Sequence, residues 1–251
     1  MKWALLSDVH ANLAAWQACV AHASTQGVTH WAVLGDLVGY GPQPAQVVAE
    51  VMRLQQSTGA VVLRGNHEEM ALRGAHGESM GAQTAKWTHA QLSDNQREWM
   101  AHLPVTHVDG ALMLVHASAD QPERWHYVED ARAAARSLDA ANGLFPEVRY
   151  VLGGHVHHQT LYYRGQGQQL LAFKPTPGVA VPVPSHRRWV ATTGSVGQPR
   201  DGNTRAAYAT LDLARQQLCF HRVSYDHLAT ANLIRQAGLP DTLATRLEKG
   251  H

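Results

Sequence analysis

The chain contains 251 residues, which is long enough to bury a large apolar core. Hydrophobic residues make up 45% of the sequence and charged residues 16%, a balance typical of a soluble globular protein. The 21 basic and 20 acidic residues give a formal charge of +1, and the basic residues do not cluster. This argues against non-specific nucleic-acid binding as the main activity, because such binding depends on concentrated positive charge. No run of about 18 apolar residues occurs, so the sequence predicts no membrane span.

Two observations bear on the compartment. The charged Asp8 comes too early for a secretory signal, whose apolar segment needs about 7–15 residues. The two cysteines, Cys19 and Cys219, are too few for a disulfide framework or a thiolate metal site. We therefore expect a cytoplasmic protein.

The first third of the chain alternates short apolar runs with helical patterns. Apolar runs at 3–7, 31–34 and 60–63 predict strands. Between them, residues 12–26 place their apolar side chains on one helical face, and a second helix is expected from Pro44 to the stop at Gly59. Strands that alternate with helices indicate βαβ units and a parallel sheet.

The middle of the chain is more helical. Ser93 and Gln96 form a capping-box pattern at the start of a helix that ends at Pro104. Asp109-Gly110 lies between two apolar runs and predicts a hairpin, and residues 131–138 predict an alanine-rich helix.

Strand patterns dominate after His158, and two helices follow at 227–236 and 242–248. The proline-rich segment 174–185 is predicted to be a surface loop rather than a strand. We expect one α/β domain over residues 1–251 whose second half becomes antiparallel. The strands are predicted at 150–152, 160–163, 169–173, 189–193, 206–213 and 217–223.

Metal-binding residue types follow directly after five of the predicted strands. The chain has 17 histidines and only three phenylalanines, so some histidines are expected to be ligands. In open α/β sheets, ligands bind at the carboxyl ends of the strands, which would bring these side chains to one edge. Each motif alone has an ordinary structural explanation, such as a turn, a cap or a core histidine, but the ordered set of five is not a chance pattern. The residues are Asp8 and His10, Asp36, Asn66 and His67, His116, and His155 and His157.

The spacing of two residues within the first and last motifs suggests a geometry. On an extended backbone, Asp8 and His10 would point to the same side, and so would His155 and His157. A mixed set of oxygen and imidazole ligands suits borderline divalent metals such as Mn, Fe or Zn.

These motifs resemble the signature of the calcineurin-like metallophosphoesterases, and in particular a branch of small bacterial and archaeal phosphoesterases. The resemblance implies a four-layer αββα sandwich in which two mixed β-sheets pack face to face with helices outside. The matching segments are Asp8-Val9-His10, Gly35-Asp36-Leu37-Val38-Gly39, Gly65-Asn66-His67-Glu68, His116, Gly154-His155-Val156-His157 and the tail segment 194–202.

The same resemblance implies a site for two divalent metal ions bridged by Asp36, with Mn, Fe, Zn, Ni or Co as candidates. His67 matches a histidine that contacts the substrate phosphate and protonates the leaving oxygen, and Asn66 is expected to contact substrate as well. The first ion is expected on Asp8, His10 and His157, and the second on Asn66, His116 and His155.

Three further positions carry expectations. Arg200 is a candidate phosphate contact, with a surface arginine as the alternative, and Tyr40 is a candidate for stacking on substrate or for packing under the site. Glu68 replaces the aspartate more frequent in the family after Asn-His, so the usual hydrogen-bond support of His67 is in question.

The expected function is hydrolysis of a small phosphodiester or phosphomonoester, with nucleotides among the candidates, by attack of a hydroxide that bridges two metals. The alternatives are a protein Ser/Thr phosphatase and a non-catalytic metal-binding scaffold on the same fold. The partner is expected to be a small phosphoester, without nucleic acid or membrane, and the oligomeric state is left open.

Overall fold

The computed structural model describes residues 1–74, 80–164 and 169–251. These residues form two mixed six-stranded sheets and eight α-helices, as expected for an αββα sandwich.

The first sheet collects the strands from both ends of the chain. Its order from edge to edge is β3 (Val61–Val62), β2 (His30–Val33), β1 (Lys2–Leu6), β11 (Ala206–Asp212), β12 (Gln217–Val223) and β9 (Ala180–Pro182). Strands β1, β2 and β3 run parallel, and β11, β12 and β9 extend the sheet in antiparallel fashion from β1.

The second sheet is built from the middle of the chain. Its order is β4 (Thr106–Asp109), β5 (Leu112–Val115), β6 (Tyr150–Gly153), β10 (Trp189–Thr193), β7 (Gln159–Arg164) and β8 (Leu170–Phe173). Strands β5, β6 and β10 run parallel, while β4, β7 and β8 pair in antiparallel fashion at the two sides.

The helices begin and end on recognisable signals. Asn12 caps the first helix by accepting from the Ala15 N–H, and Gly59 ends the second in a left-handed conformation. The predicted capping box of Ser93 and Gln96 is confirmed. The helices are α1 (Leu13–Thr25), α2 (Pro44–Thr58), α3 (Asn66–Arg73), α4 (Met80–Gln91), α5 (Asp94–Ala101), α6 (Ala131–Leu144), α7 (His227–Gln236) and α8 (Asp241–Lys249).

Three apolar layers hold the sandwich together. Side chains alternate along β1, so that Trp3 and Leu5 join the layer between the two sheets while Ala4 and Leu6 join the layer under α1 and α2. A third layer, which includes Leu138, seals α6 against the second sheet. Parallel pairing of β1 with β2 and of β5 with β6 brings their carboxyl ends together within each sheet. The ring of His116 after β5 contacts the carbonyl of Leu34 after β2, so the two sheets share this rim of the sandwich.

One predicted loop contains a strand. The segment 174–185 includes β9, which pairs with β12 at the outer edge of the first sheet. An edge strand needs no ladder hydrogen bonds on its outer side, so prolines such as Pro182 are compatible with it. The prediction of a loop throughout this segment was wrong.

None of the helices in the described ranges is both long enough and apolar enough to cross a membrane.

Candidate metal centre

The motif loops at the rim have an unusual backbone. Among the described residues, ten that are not glycine have positive φ, and seven of these lie at positions 8, 10, 11, 36, 40, 155 and 157. Such conformations are unfavourable for residues with a side chain and concentrate at functional sites. Asp8 (φ 55°) and His10 (φ 46°) are therefore not extended, and neither are His155 (φ 67°) and His157 (φ 60°). The predicted reason for the convergence within each pair, strand alternation, was wrong for both. The turns themselves bring the side chains together.

A first group of potential ligands consists of Asp8, His10 and His157, all buried. Nε2 of His157 lies 3.3 Å from Asp8 Oδ1, and Nε2 of His10 lies 3.1 Å from Nε2 of His157. The structure thus assembles residues that are 147 positions apart in the chain.

A second group consists of Asp36, His116 and His155. Nε2 of His116 lies 3.3 Å from Asp36 Oδ2 and 3.2 Å from His155 Nδ1. The same His116 nitrogen lies 3.2 Å from Oδ1 of Asn66, which brings the amide oxygen into this group.

Asp36 lies between the two groups. Its Oδ2 atom is 3.8 Å from Nε2 of His10 and 3.3 Å from Nε2 of His116. One carboxylate therefore faces both sets.

Backbone carbonyls orient three of the imidazole rings. The Nδ1 atoms of His10, His116 and His157 lie 3.1, 2.8 and 2.6 Å from the carbonyl oxygens of Val38, Leu34 and Gln198. A proton on each Nδ1 leaves Nε2 as a lone pair directed into the site. Two lone pairs 3.1 Å apart on His10 and His157 need a cation between them, so the donor set fits a divalent metal.

The electrostatics of the site also favour a bound cation. Burial lowers the pKa of His10, of His67 to about 4 and of His155 to about 4. At His116, burial is outweighed by the Asp36 carboxylate, which raises the pKa of the ring to about 9. Burial works against ionisation of Asp36, but the neighbouring His116 holds the pKa of that carboxyl well below its usual range. The site thus stabilises positive charge next to Asp36.

Two glycines allow the carboxylates to approach the backbone. A Cβ atom on Gly154 would lie 2.3 Å from Asp8 Oδ2, and one on Gly65 would lie 2.3 Å from Asp36 Oδ1. Neither position can accept a side chain without moving a carboxylate.

Glu68 supports the loop that carries Asp36. Its fully buried carboxylate accepts hydrogen bonds from four backbone N–H groups, those of Asp36, Leu37, Val38 and Gly65, at 2.7–3.2 Å. Burial and the Asp36 carboxylate raise the pKa of Glu68 to about 7, although the N–H donors of Gly65 and Val38 oppose this change. The structure therefore gives Glu68 a different role from the support of His67 that was considered from the sequence.

His67 lies at the edge of the first group. Its backbone N–H donates to Asp36 Oδ1 at 2.9 Å, and its ring centre is 4.9 Å from that of His10. The Nδ1 atom is buried and has no hydrogen-bond partner among the described residues.

Tyr40 and Arg200 form a pair beside His67. The Tyr40 ring centre lies 4.4 Å from that of His67, and the Arg200 guanidinium carbon lies 5.6 Å from the centre of the Tyr40 ring. Arg200 also donates to Oε1 of Gln198, whose carbonyl accepts from His157. Gln198, which the sequence did not single out, thus connects Arg200 to the first group.

A cleft that was not predicted opens beside the second group. It has a volume of about 450 Å³, and its metal-site wall consists of Asn66 and His155. The Tyr127 ring stacks on His155 with centres 4.0 Å apart and planes at 26°. The other lining residues are Glu69, Met70, Arg73 and Trp125. In the sequence, the available signal for this cleft was the aromatic segment Trp125-His126-Tyr127, which follows shortly after His116.

Comparison with known proteins agrees with this geometry. The family model of the calcineurin-like phosphoesterase superfamily domain matches residues 1–216. A metallophosphoesterase from Sphaerobacter thermophilus superposes with a TM-score of 0.87 at 34% identity, covering 100% of this chain and 99% of that one. An uncharacterized protein of Methanocaldococcus jannaschii is 26% identical over 98% of this chain and 97% of its own length.

A shorter similarity concerns a named enzyme. The symmetrical bis(5'-nucleosyl)-tetraphosphatase of Aromatoleum aromaticum is 34% identical over 112 residues, which is 43% of this chain and 39% of that relative. The match of the family model over most of the sequence, together with the solved relative that aligns over the full chain, identifies the family. The chain belongs to the calcineurin-like phosphoesterase superfamily.

Proposed function

We propose that the protein is a hydrolase of small phosphodiesters or phosphomonoesters that depends on two divalent metal ions. The observation that supports this most strongly is the position of Asp36, whose Oδ2 atom faces Nε2 of both His10 and His116. A shared carboxylate between two ligand groups is the arrangement that a pair of neighbouring ions requires.

Each group of residues would hold one ion. Asp8, His10 and His157 would bind the first, and Asn66, His116 and His155 the second, with Asp36 shared. When bound, such ions activate water at neutral pH and neutralise charge on phosphate oxygens. Mn, Fe, Zn, Ni and Co all accept this mixture of imidazole and oxygen ligands.

His67 would act on the phosphate and on the leaving oxygen. With a pKa of about 4 the ring is neutral at pH 7, so in the free protein it offers a hydrogen bond rather than a proton. A phosphate anion bound beside it would raise this pKa, because an adjacent negative charge favours the imidazolium form. The ring could then donate its proton to the departing ester oxygen.

Arg200 and Tyr40 would contact the substrate on the same side. The guanidinium can pair with phosphate oxygens, and its hydrogen bonds to Gln198 reduce the freedom it would lose on binding. Nucleotides are favoured among the candidate substrates by the similarity to bis(5'-nucleosyl)-tetraphosphatases.

The test is hydrolysis of bis(4-nitrophenyl) phosphate and of 4-nitrophenyl phosphate by chelator-stripped protein, with each divalent metal added back. We expect turnover only with metal, and the ratio of the two rates will separate a diesterase from a monoesterase. A folded protein that binds metal and hydrolyses neither ester would contradict the proposal and favour the non-catalytic scaffold. Preference for a phosphoserine peptide over both esters would favour the Ser/Thr phosphatase.

A further inference from the structure

The cleft lined by Trp125 and Tyr127 has the size and composition of a small-molecule subsite. Its volume of about 450 Å³ exceeds what a methyl group or a water cluster needs and lies within the usual range for ligand pockets, about 300–1,000 Å³. Two aromatic rings and the Met70 side chain supply apolar surface, and Glu69 and Arg73 add polar groups. This combination is typical of sites that bind a planar ring.

Tyr127 is placed as a stacking platform. One face of its ring covers His155, yet the residue remains 51% exposed, so a large part of the ring stays open to a ligand.

Trp125 has a strained backbone, and a hydrogen bond of its indole ring holds it in the cleft. Its backbone is left-handed at φ 54°, which is rare for so large a side chain, and a short 3₁₀ turn (Pro122–Arg124) precedes it. The indole N–H donates to Glu69 Oε2 at 3.1 Å, and Glu69 in turn pairs with Arg73. The ring also meets the edge of His116 at 5.7 Å between centres.

The position of the cleft relative to His67 decides which part of a substrate enters it. His67 and Tyr40 adjoin His10 of the first group, whereas Tyr127 adjoins His155 of the second. A phosphorus atom between the groups would carry its leaving oxygen toward His67 and its other ester group toward Tyr127.

We propose that this cleft binds the nucleoside of the ester group that a phosphodiester retains after hydrolysis, with its base stacked on Tyr127 and Trp125. The inference rests on the proposed phosphoesterase function and adds to it a preference for nucleotide diesters. It also assigns the two ester groups of the substrate to opposite sides of the metal site.

The test compares two diesters that share one leaving group, the 4-nitrophenyl ester of thymidine 5'-phosphate and methyl 4-nitrophenyl phosphate. We expect wild-type kcat/KM to favour the thymidine ester by about tenfold or more, as stacking of one base supplies. Tyr127→Ala should remove most of this ratio through KM, and Tyr127→Phe should preserve it. Because both substrates meet the same metal site, any effect of the substitution on His155 cancels in the ratio.

A control and a binding measurement complete the test. Phe173→Ala removes a comparably exposed aromatic side chain (43%) on the edge strand β8 and should leave the ratio unchanged. In calorimetric titrations, thymidine 5'-monophosphate should bind about tenfold more weakly to Tyr127→Ala than to wild type. A wild-type ratio near one, or a ratio that survives Tyr127→Ala, would overturn the inference while leaving the phosphoesterase function intact. Hydrolysis of 4-nitrophenyl phosphate but of neither diester would also overturn the inference alone, whereas failure to hydrolyse all three esters would refute the phosphoesterase function as well.

Discussion

Among the described residues, two groups of wholly or partly buried histidines differ in their partners. In the metal centre, Nε2 atoms face carboxylates and one another. In the second group, which we call the sheet cluster (His22, Tyr208, Thr210 and His221), hydroxyl groups satisfy the rings. Nε2 of His221 lies 2.9 Å from the Thr210 hydroxyl, and Nδ1 of His22 lies 2.6 Å from the Tyr208 hydroxyl.

The difference shows what distinguishes a ligand from a packed histidine. The His221 ring stacks on Tyr208 with centres 4.7 Å apart, and in the described ranges no carboxylate pairs with it. Its polar atoms have neutral partners, so it needs no cation. In the metal centre, opposed lone pairs and the two carboxylates of Asp8 and Asp36 leave negative charge that a cation must balance. Both clusters contain buried histidines. The metal centre differs from the sheet cluster in having carboxylates beside these histidines.

The substitution Asp36→Asn should have the largest effect. It removes the charge that faces both ligand groups, so we expect both ions to be lost and kcat to fall well beyond the factor of about 100 that outer-shell changes cause. Metal analysis and ester hydrolysis measure the two effects. The control is Asp139→Asn, which neutralises one partner of an exposed ion pair with Arg164. Full turnover in a verified Asp36→Asn protein would exclude the bridging role.

His67→Ala should separate chemistry from metal binding. We expect unchanged metal content and a decrease in kcat of about 10²–10⁴, the usual contribution of a general acid. The structure also offers His67 as a ligand in a third group with His10 and Asp36. Metal content measured together with kcat decides whether His67 is a general acid or a metal ligand. Loss of an ion from the His67→Ala protein would identify His67 as a ligand.

Glu68→Gln should weaken metal binding less severely. The amide cannot accept all four N–H groups that organise the loop from Asp36 to Val38 and the turn at Gly65, so we expect a decrease in metal affinity of about 10- to 100-fold. Competition with a chelator gives this affinity directly. Glu50→Gln, on a surface ion pair with Arg53, should not change it. Equal affinities in the Glu68→Gln and wild-type proteins would show that the loop holds its shape without the carboxylate.

The sheet cluster should affect stability and not metal binding. Burial lowers the pKa of His221 to about 4, with further contributions from His22 and Lys2. Because the unfolded state binds more protons between pH 4 and pH 6.5, the stability from the neutral ring is present above pH 6.5 and lost as the pH falls through 4. We expect His221→Gln to reduce this dependence by about 2 kcal/mol at most and to leave metal content unchanged. Denaturant titrations at several pH values measure it, and an unaltered pH profile would show that His221 does not contribute.

Local patterns predicted individual strands and helices well, whereas the sandwich was implied by the family resemblance. Apolar runs, the Ser93 cap and the stop at Gly59 each act within a few residues, and the structure confirms them. The convergence of the metal-site residues was also expected from strand ends and from the family resemblance. The reason given for Asp8 and His10 was wrong, however, because left-handed turns leave no pattern of alternation.

The features that sequence reasoning missed depend on distant contacts. Glu68 bonds to backbone 30 to 32 positions away, and the indole of Trp125 reaches Glu69 across 56 positions. Strand β9 forms only because β12 offers it an edge. Local patterns do not report such contacts, so the support of the Asp36 loop emerged only from the fold. The aromatic segment Trp125-His126-Tyr127 was a signal for the cleft, but only the fold shows that these residues line one.

The most direct test of the account is the number of metal ions that the folded chain binds at saturation. Chelator-stripped wild-type protein, titrated with Mn²⁺ and analysed for bound metal, should bind two ions per chain, and His221→Gln should do the same. Asp36→Asn, measured in parallel, should bind neither tightly. A single ion in the wild type, or two ions that persist in Asp36→Asn, would contradict the shared-carboxylate site on which the proposed hydrolysis depends.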